Sequence, residues 1–207
     1  MDRFTPPHWP DHEAQGLVST YTVAQFKPMK SVCNKSEIEN SFDRKFQKEK
    51  ALTVVVSGLT YVQVGTNWHY ICIIIDLYNR EIIGYSSGPN KNKELAGQAI
   101  AKIPYPLQEI ALFHTDRGRE FFNHKMDETL ATFEIARSLN NKGTPYDHAV
   151  AEATFKAIKI ELVSRKVFPN QHELDLALFD YVHWFNYIRL HGSLDYQSPI
   201  DYKALHL

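Results

Sequence analysis

The sequence predicts a layered α/β fold built on a mixed sheet. Three observations carry this. Between residues 52 and 87, β-branched and aromatic runs are broken only by short turns. Short apolar strands then alternate with segments of four-residue period, and the chain closes on helical patterns.

Taken in order, residues 1–32 hold four prolines (Pro6, Pro7, Pro10 and Pro28) and no sustained period, and read as an extended arm. Segment 34–50 reads as a short amphipathic helix: Ile38, Phe42 and Phe46 recur every four residues, and Asn34 with Glu37 fits a cap. The chain thus divides into an arm with a short helix over 1–50 and a core over 51–207. In the core, 52–64 is a first strand closed by Gly65-Thr66-Asn67, and 68–77 a second, apolar on both faces and so buried. Tyr78-Asn79-Arg80 turns into a third strand at 81–87, which makes an antiparallel meander. Helices at 91–102 and 119–133 flank a short buried strand at 110–113, and 135–138 supplies a fifth strand. The loop 139–146 is rich in turn residues. Asp147 is placed to cap a helix over 148–164. Asn170 with Glu173 opens a last helix to about 188, with Leu174, Leu178, Tyr181, Phe185 and Ile188 as its stripe.

Composition bounds the function. Of 207 residues, 43% are hydrophobic and 23% charged, enough apolar content to fill a core. No run approaches the roughly 18 apolar residues of a membrane span. Residues 1–7 lack the apolar run of a secretory signal, and Cys33 and Cys72 form no CxxC, so a cytoplasmic setting is expected. Basic and acidic residues nearly balance, 23 against 24, and neither sign is segregated along the chain. A nucleic-acid partner would therefore have to meet a local patch.

Two segments carry chemistry: His114-Thr115-Asp116-Arg117-Gly118 and Asp147-His148-Ala149-Val150-Ala151-Glu152. Asp116 follows a predicted buried strand, and open α/β sheets gather ligands at strand ends. On the helix that follows, Ala151, Phe155, Ile158 and Leu162 form the apolar stripe, while Glu152, Lys156 and Lys159 share a neighbouring face. A carboxylate followed by two lysines suits a metal ion beside a phosphate backbone. Singly, an Asp after a strand is a turn residue and a Glu–Lys pair a solvated ion pair. Their joint placement, with 35 residues between Asp116 and Glu152, points to a site. No HExxH or GxGxxG is present.

From about Gly16 to Leu205 the chain resembles the catalytic subunit of bacterial two-reading-frame insertion-sequence transposases. The matching stretches are Leu59-Thr60-Tyr61-Val62, Tyr70-Ile71-Cys72, Ile75-Asp76-Leu77, Arg80 through Tyr85, His114 through Gly118, Lys142-Gly143, Pro145-Tyr146-Asp147 and Ala149 through Glu152. The tail from Phe185-Asn186 through Arg189-Leu190-His191 to Ser198-Pro199 matches as well. The resemblance implies a ribonuclease-H-like core of the retroviral-integrase type, with a five-stranded mixed sheet flanked by helices. It further implies two aspartates and a glutamate that hold two divalent ions, Mg²⁺ or Mn²⁺, for in-line phosphodiester displacement. The second Asp falls on Asp116 and the Glu on Glu152. The first falls on Gly58, which has no side-chain oxygen. Asp76, at the end of the adjacent predicted strand, is the candidate to replace it. His148 stands where the family has Asn.

Three readings follow. The first is a DNA transposase/integrase core whose metal affinity is weakened and whose activity is lost at Gly58, by decay of the copy or by a deliberate substitution. The second is a non-catalytic DNA-binding remnant, and the third a metal-dependent nuclease working with Asp116 and Glu152 alone. Lys156, Lys159, Arg117 and Lys142 are the expected phosphate contacts. The expected partners are element ends and target DNA, in a homo-oligomer or a mixed oligomer with intact transposase, at the nucleoid of a bacterial cytoplasm and away from membrane. The resemblance also places a helical DNA-recognition region upstream, expected here only as a remnant before Val18.

Overall fold

The computed structural model describes residues 50–139 and 149–206. The arm and short helix expected within 1–50, most of the turn-rich loop, and the expected cap at Asp147 lie outside them. A five-stranded sheet is formed by β1 (Val54–Val64), β2 (Asn67–Asp76), β3 (Ile82–Gly88), β4 (Leu112–Thr115) and β5 (Ala136–Leu139). Its order is β3-β2-β1-β4-β5. Short turns make β1, β2 and β3 antiparallel, whereas helical crossovers make β4 and β5 parallel to β1. The mixed sheet flanked by helices is the expected ribonuclease-H-like architecture. Helices α1 (Lys93–Ala101), α2 (His124–Thr132), α3 (Ala149–Glu161), α4 (Gln171–Tyr187) and α5 (Pro199–His206) complete the described chain.

Three helices start on the same chemistry. The side chains of Asn92, Asn123 and Asn170 accept from the backbone N–H of Leu95, Met126 and Glu173. The two-residue period of the strands then divides the core. On one face Val54, Val56, Ile71, Ile73 and Ile75 pack with Ala151, Phe155 and Ile158 of α3 and Leu178, Tyr181 and Phe185 of α4. On the other, Val55, Cys72 and Ile74 pack with Leu95, Ala96 and Ala99 of α1 and Met126 and Leu130 of α2. Gly84 lets α1 lie close, since a Cβ there would stand 2.5 Å from the carbonyl oxygen of Ala99.

Several expectations are corrected. The strand expected at 110–113 is displaced to Leu112–Thr115, which carries the pairing up to the residue before Asp116. The helix expected over 119–133 begins only after the cap at Asn123, so its first turn is lost. Ile188 is exposed because α4 ends at Tyr187 and the helical period no longer applies. Trp184 and Tyr187 lie partly in solvent, whereas Tyr181 and Phe185 are core. Helix α5 was not expected. Its signal is Ser198-Pro199, with Ser198 Oγ accepting from Asp201 N–H.

Candidate active site

The parallel ladder between β1 and β4 ends on Ser57 opposite Thr115. One further step of the same register sets Gly58 beside Asp116. Gly58 alternates onto the face of Val54 and Val56, the face that α3 covers. Glu152 lies in the first turn of α3, exposed, next to the fully buried Ala151. Thus Gly58, in the middle of β1, lies beside Asp116 at the end of β4, and Glu152 stands in the first turn of the helix that covers this face of β1.

The local sequence shapes this end. Asp116 is half-buried and its Oδ1 accepts from Gly118 N–H at 2.8 Å. A side chain at position 118 would run into the carboxylates of both Asp116 and Glu120. Glu120 is buried and ion-paired to Lys91, Nζ to Oε1 3.1 Å. Burial pushes its carboxyl above the usual range, and the negative charge of Asp116 adds to the shift. Sequence reasoning missed this pair. The available signal was an acidic residue four positions after Asp116, hidden by assigning that segment to a helix. His114 is fully buried and bonded through Nδ1 to Ser138 Oγ at 2.9 Å, which holds β4 to β5.

The basic residues distribute unequally. Lys156 is exposed, and Lys159 lies with Nζ 4.3 Å from the centre of the Tyr61 ring, both on the flank of α3 that carries Glu152. Arg117 is half-buried beside Asp116, and Lys142 lies outside the described residues. Asp76 does not replace the missing carboxylate. It pairs with Val55, three positions from Gly58, and its oxygens accept from the N–H groups of Leu52 (2.9 Å) and Tyr78 (3.0 Å).

Asp116 and Glu152 are hard oxygen donors of the kind that suits Mg²⁺ or Mn²⁺. The third position, Gly58, has none. Among the described residues no three His, Cys, Asp or Glu side chains group closely enough to hold a metal ion. The chain therefore fits an incomplete version of a carboxylate metal site.

Two family models, each described as "Integrase core domain", match residues 48–145 and 152–207. The transposase for insertion sequence element IS904 of Lactococcus lactis is 29% identical over 169 residues, which cover 79% of this chain and 66% of that protein. The transposase InsF for insertion sequence IS3A of Escherichia coli is 25% identical over 172 residues, covering 82% and 60%. The chain thus spans 60–66% of the length of these two curated relatives. Among solved structures, the catalytic core domain of HTLV-2 integrase in complex with magnesium matches with a TM-score of 0.58 at 14% identity, covering 72% of this chain and 95% of that one. A chain of the simian T-cell lymphotropic virus intasome matches with a TM-score of 0.62 at 11% identity, covering 86% and 59%. Sheet order and matched segments agree: the chain belongs to the integrase-core family, and the curated relatives it is similar to are insertion-sequence transposases.

Proposed function

We propose that this chain is the DNA-processing core of an insertion-sequence transposase, and that the copy is catalytically impaired at Gly58. The observation that carries the reading is the register, which sets a residue without any donor next to Asp116 under the helix of Glu152. Divalent ions, when bound, supply a clamp on the attacking and leaving oxygens of the displaced phosphodiester. Asp116 and Glu152 hold one Mg²⁺ or Mn²⁺ weakly, because Mg²⁺ is anchored by few carboxylates and the loss of one removes a main anchor. Arg117, Lys142, Lys156 and Lys159 hold the phosphates of element ends and target DNA. The chain works on DNA in the bacterial cytoplasm as a homo-oligomer, or joins an intact relative in a mixed one.

The test is Gly58→Asp combined with His148→Asn, assayed for cutting and joining of element-end DNA with Mn²⁺. The added carboxylate lies on the α3 side of β1, where a bound cation offsets the cost of burying it. The expected gain is about a hundredfold or more over the parent. If the folded double variant neither cuts nor joins, Gly58 is not the decisive lesion. Plasmid nicking by the unaltered chain, lost in Glu152→Gln, would show instead that two carboxylates suffice.

A further inference from the structure

Two of the stretches that carry the resemblance, around Arg80 and around Arg189-Leu190-His191, have no part in the carboxylate site. They meet at a cavity of about 340 Å³ on a different flank of α3. Arg80, Arg189, His191 and Ser193 supply its polar wall, and Phe185 and Ala153 part of its apolar wall. This volume falls in the range of small-molecule sites, and a few polar groups on an apolar lining is their usual make-up.

The charges in this wall are not balanced. Arg189 is neutralised by Glu161, with Nε and Nη2 at 2.9–3.1 Å from its carboxylate oxygens. Arg80 has no such partner: its Nη1 is shut off from solvent without a hydrogen bond, and among the described residues it forms no ion pair within 4.0 Å. A guanidinium stays protonated even when buried, so the cavity keeps a positive charge that no described group of the fold pairs with and that the Asp76 carboxylate only partly offsets from a distance. Burial, with Arg189 next, pushes His191 down to about 4, so near neutral pH it adds a donor and an acceptor but no charge.

We propose that this cavity binds a small oxyanion carried on an apolar body. The anionic group sits on Arg80 beside Ser193 and Arg189, and the body lies against Phe185 and Ala153. The ligand class is an aromatic or aliphatic carboxylate or phosphate monoester. A guanidinium fork matches both oxyanions, and charge-assisted bonds are the strong ones. The site is independent of the DNA-processing reading.

The test titrates the full chain calorimetrically with phenyl phosphate and with benzoate, in EDTA so that no metal at Asp116 recruits the anion. One saturable site is expected, weakened about tenfold or more in Arg80→Gln. Arg80→Lys, which keeps the charge and loses the planar fork, should fall between them. Lys93→Gln, on the other side of the sheet, should bind as the parent does. Without ligand, Arg80→Gln should melt no lower than the parent, because it removes a buried charge with no contact partner. Tighter phenyl phosphate assigns a phosphate ligand, and tighter benzoate a carboxylate. Binding unchanged in both Arg80 variants, or absent for both anions at about 10 mM, overturns the proposal.

Discussion

The carboxylate of Asp76 accepts two backbone hydrogen bonds inside the protein, from Leu52 and Tyr78, whereas that of Asp116 accepts one from Gly118 at a half-open strand end. Neighbours, not residue type, separate the architectural aspartate from the one proposed to hold a metal ion. Loss of the Asp76 side chain leaves two buried N–H groups unanswered, so Asp76→Ala should cost about 2–4 kcal/mol by urea denaturation. Burial raises the pKa of Asp76 above its ordinary 3.8, and its two backbone hydrogen bonds and Lys203 only partly oppose this. Between the unfolded and the raised folded value, the native state therefore holds more protons than the unfolded one. Its contribution to stability is full below the unfolded value and is lost as pH rises through the folded value. Asp76→Asn should remove that dependence. Comparing unfolding midpoints of parent and Asp76→Asn from about pH 3, below the unfolded value, up to pH 7 checks it. If the parent loses no stability relative to the variant on going to pH 7, the carboxyl is not perturbed as argued. Cys72, the other buried titratable group at the centre of the sheet, is pushed up to about 12 by burial and has no thiolate to offer.

At the scale of elements, one amide of α4 pairs with the start of the edge strand. Asn186 Oδ1 accepts from Ile82 N–H at 2.9 Å, and its Nδ2 donates to the Ile82 carbonyl at 3.0 Å. The side chain thus pairs with the start of the edge strand β3 as a neighbouring strand would. Asn186→Ala leaves both backbone groups buried without a partner and should lower stability by about 2–3 kcal/mol, with hydrogen exchange rising first at Ile82. A uniform loss of protection, with no excess at β3, would contradict this. The same contact marks the limit of what the sequence makes legible. Leu174, Leu178, Tyr181 and Phe185 are buried as the four-residue period requires, because a helix repeats its face locally. The five strands were legible from local pattern, and Asn170 from Glu173 three residues on, whereas the caps at Asn92 and Asn123 were not read from the sequence. Asn186 meets Ile82 across 104 residues, and Lys91 meets Glu120 across α1 and β4, which no period encodes. Phe122 misled in the other direction. Its spacing with Met126 and Leu130 suggested one long helix, yet it lies 40% exposed in the turn before Asn123, while Phe121 enters the core. Asp116 and Glu152 were legible from the motifs, but the register that places Gly58 beside Asp116 exists only once β1 and β4 pair.

For the whole molecule, a net charge of −1 gives no general attraction to a polyanion, so any hold on DNA depends on where the positive charges lie. Lys156 and Lys159 follow Glu152 along one flank of α3, one exposed and the other above the Tyr61 ring. Two cations on the flank that carries Glu152 can accept a phosphate along that side of α3. Binding to duplex DNA should therefore be weak, tolerant of sequence and steep in salt. Each phosphate neutralised contributes about 0.9 to the slope of log K against log salt. The double variant Lys156→Ala, Lys159→Ala should accordingly flatten the slope by about 1.8 while leaving the fold intact, since neither residue belongs to the buried stripe of α3. Lys93 and Lys125 provide the comparison, being exposed residues of α1 and α2 on the other side of the sheet. Their double alanine variant changes the net charge by the same amount, so an effect of overall charge would appear equally in both. A slope lowered only in the α3 variant places the phosphate path over the carboxylates. Equal lowering in both would reduce the interaction to bulk charge, and no lowering in the α3 variant would put the DNA on another face.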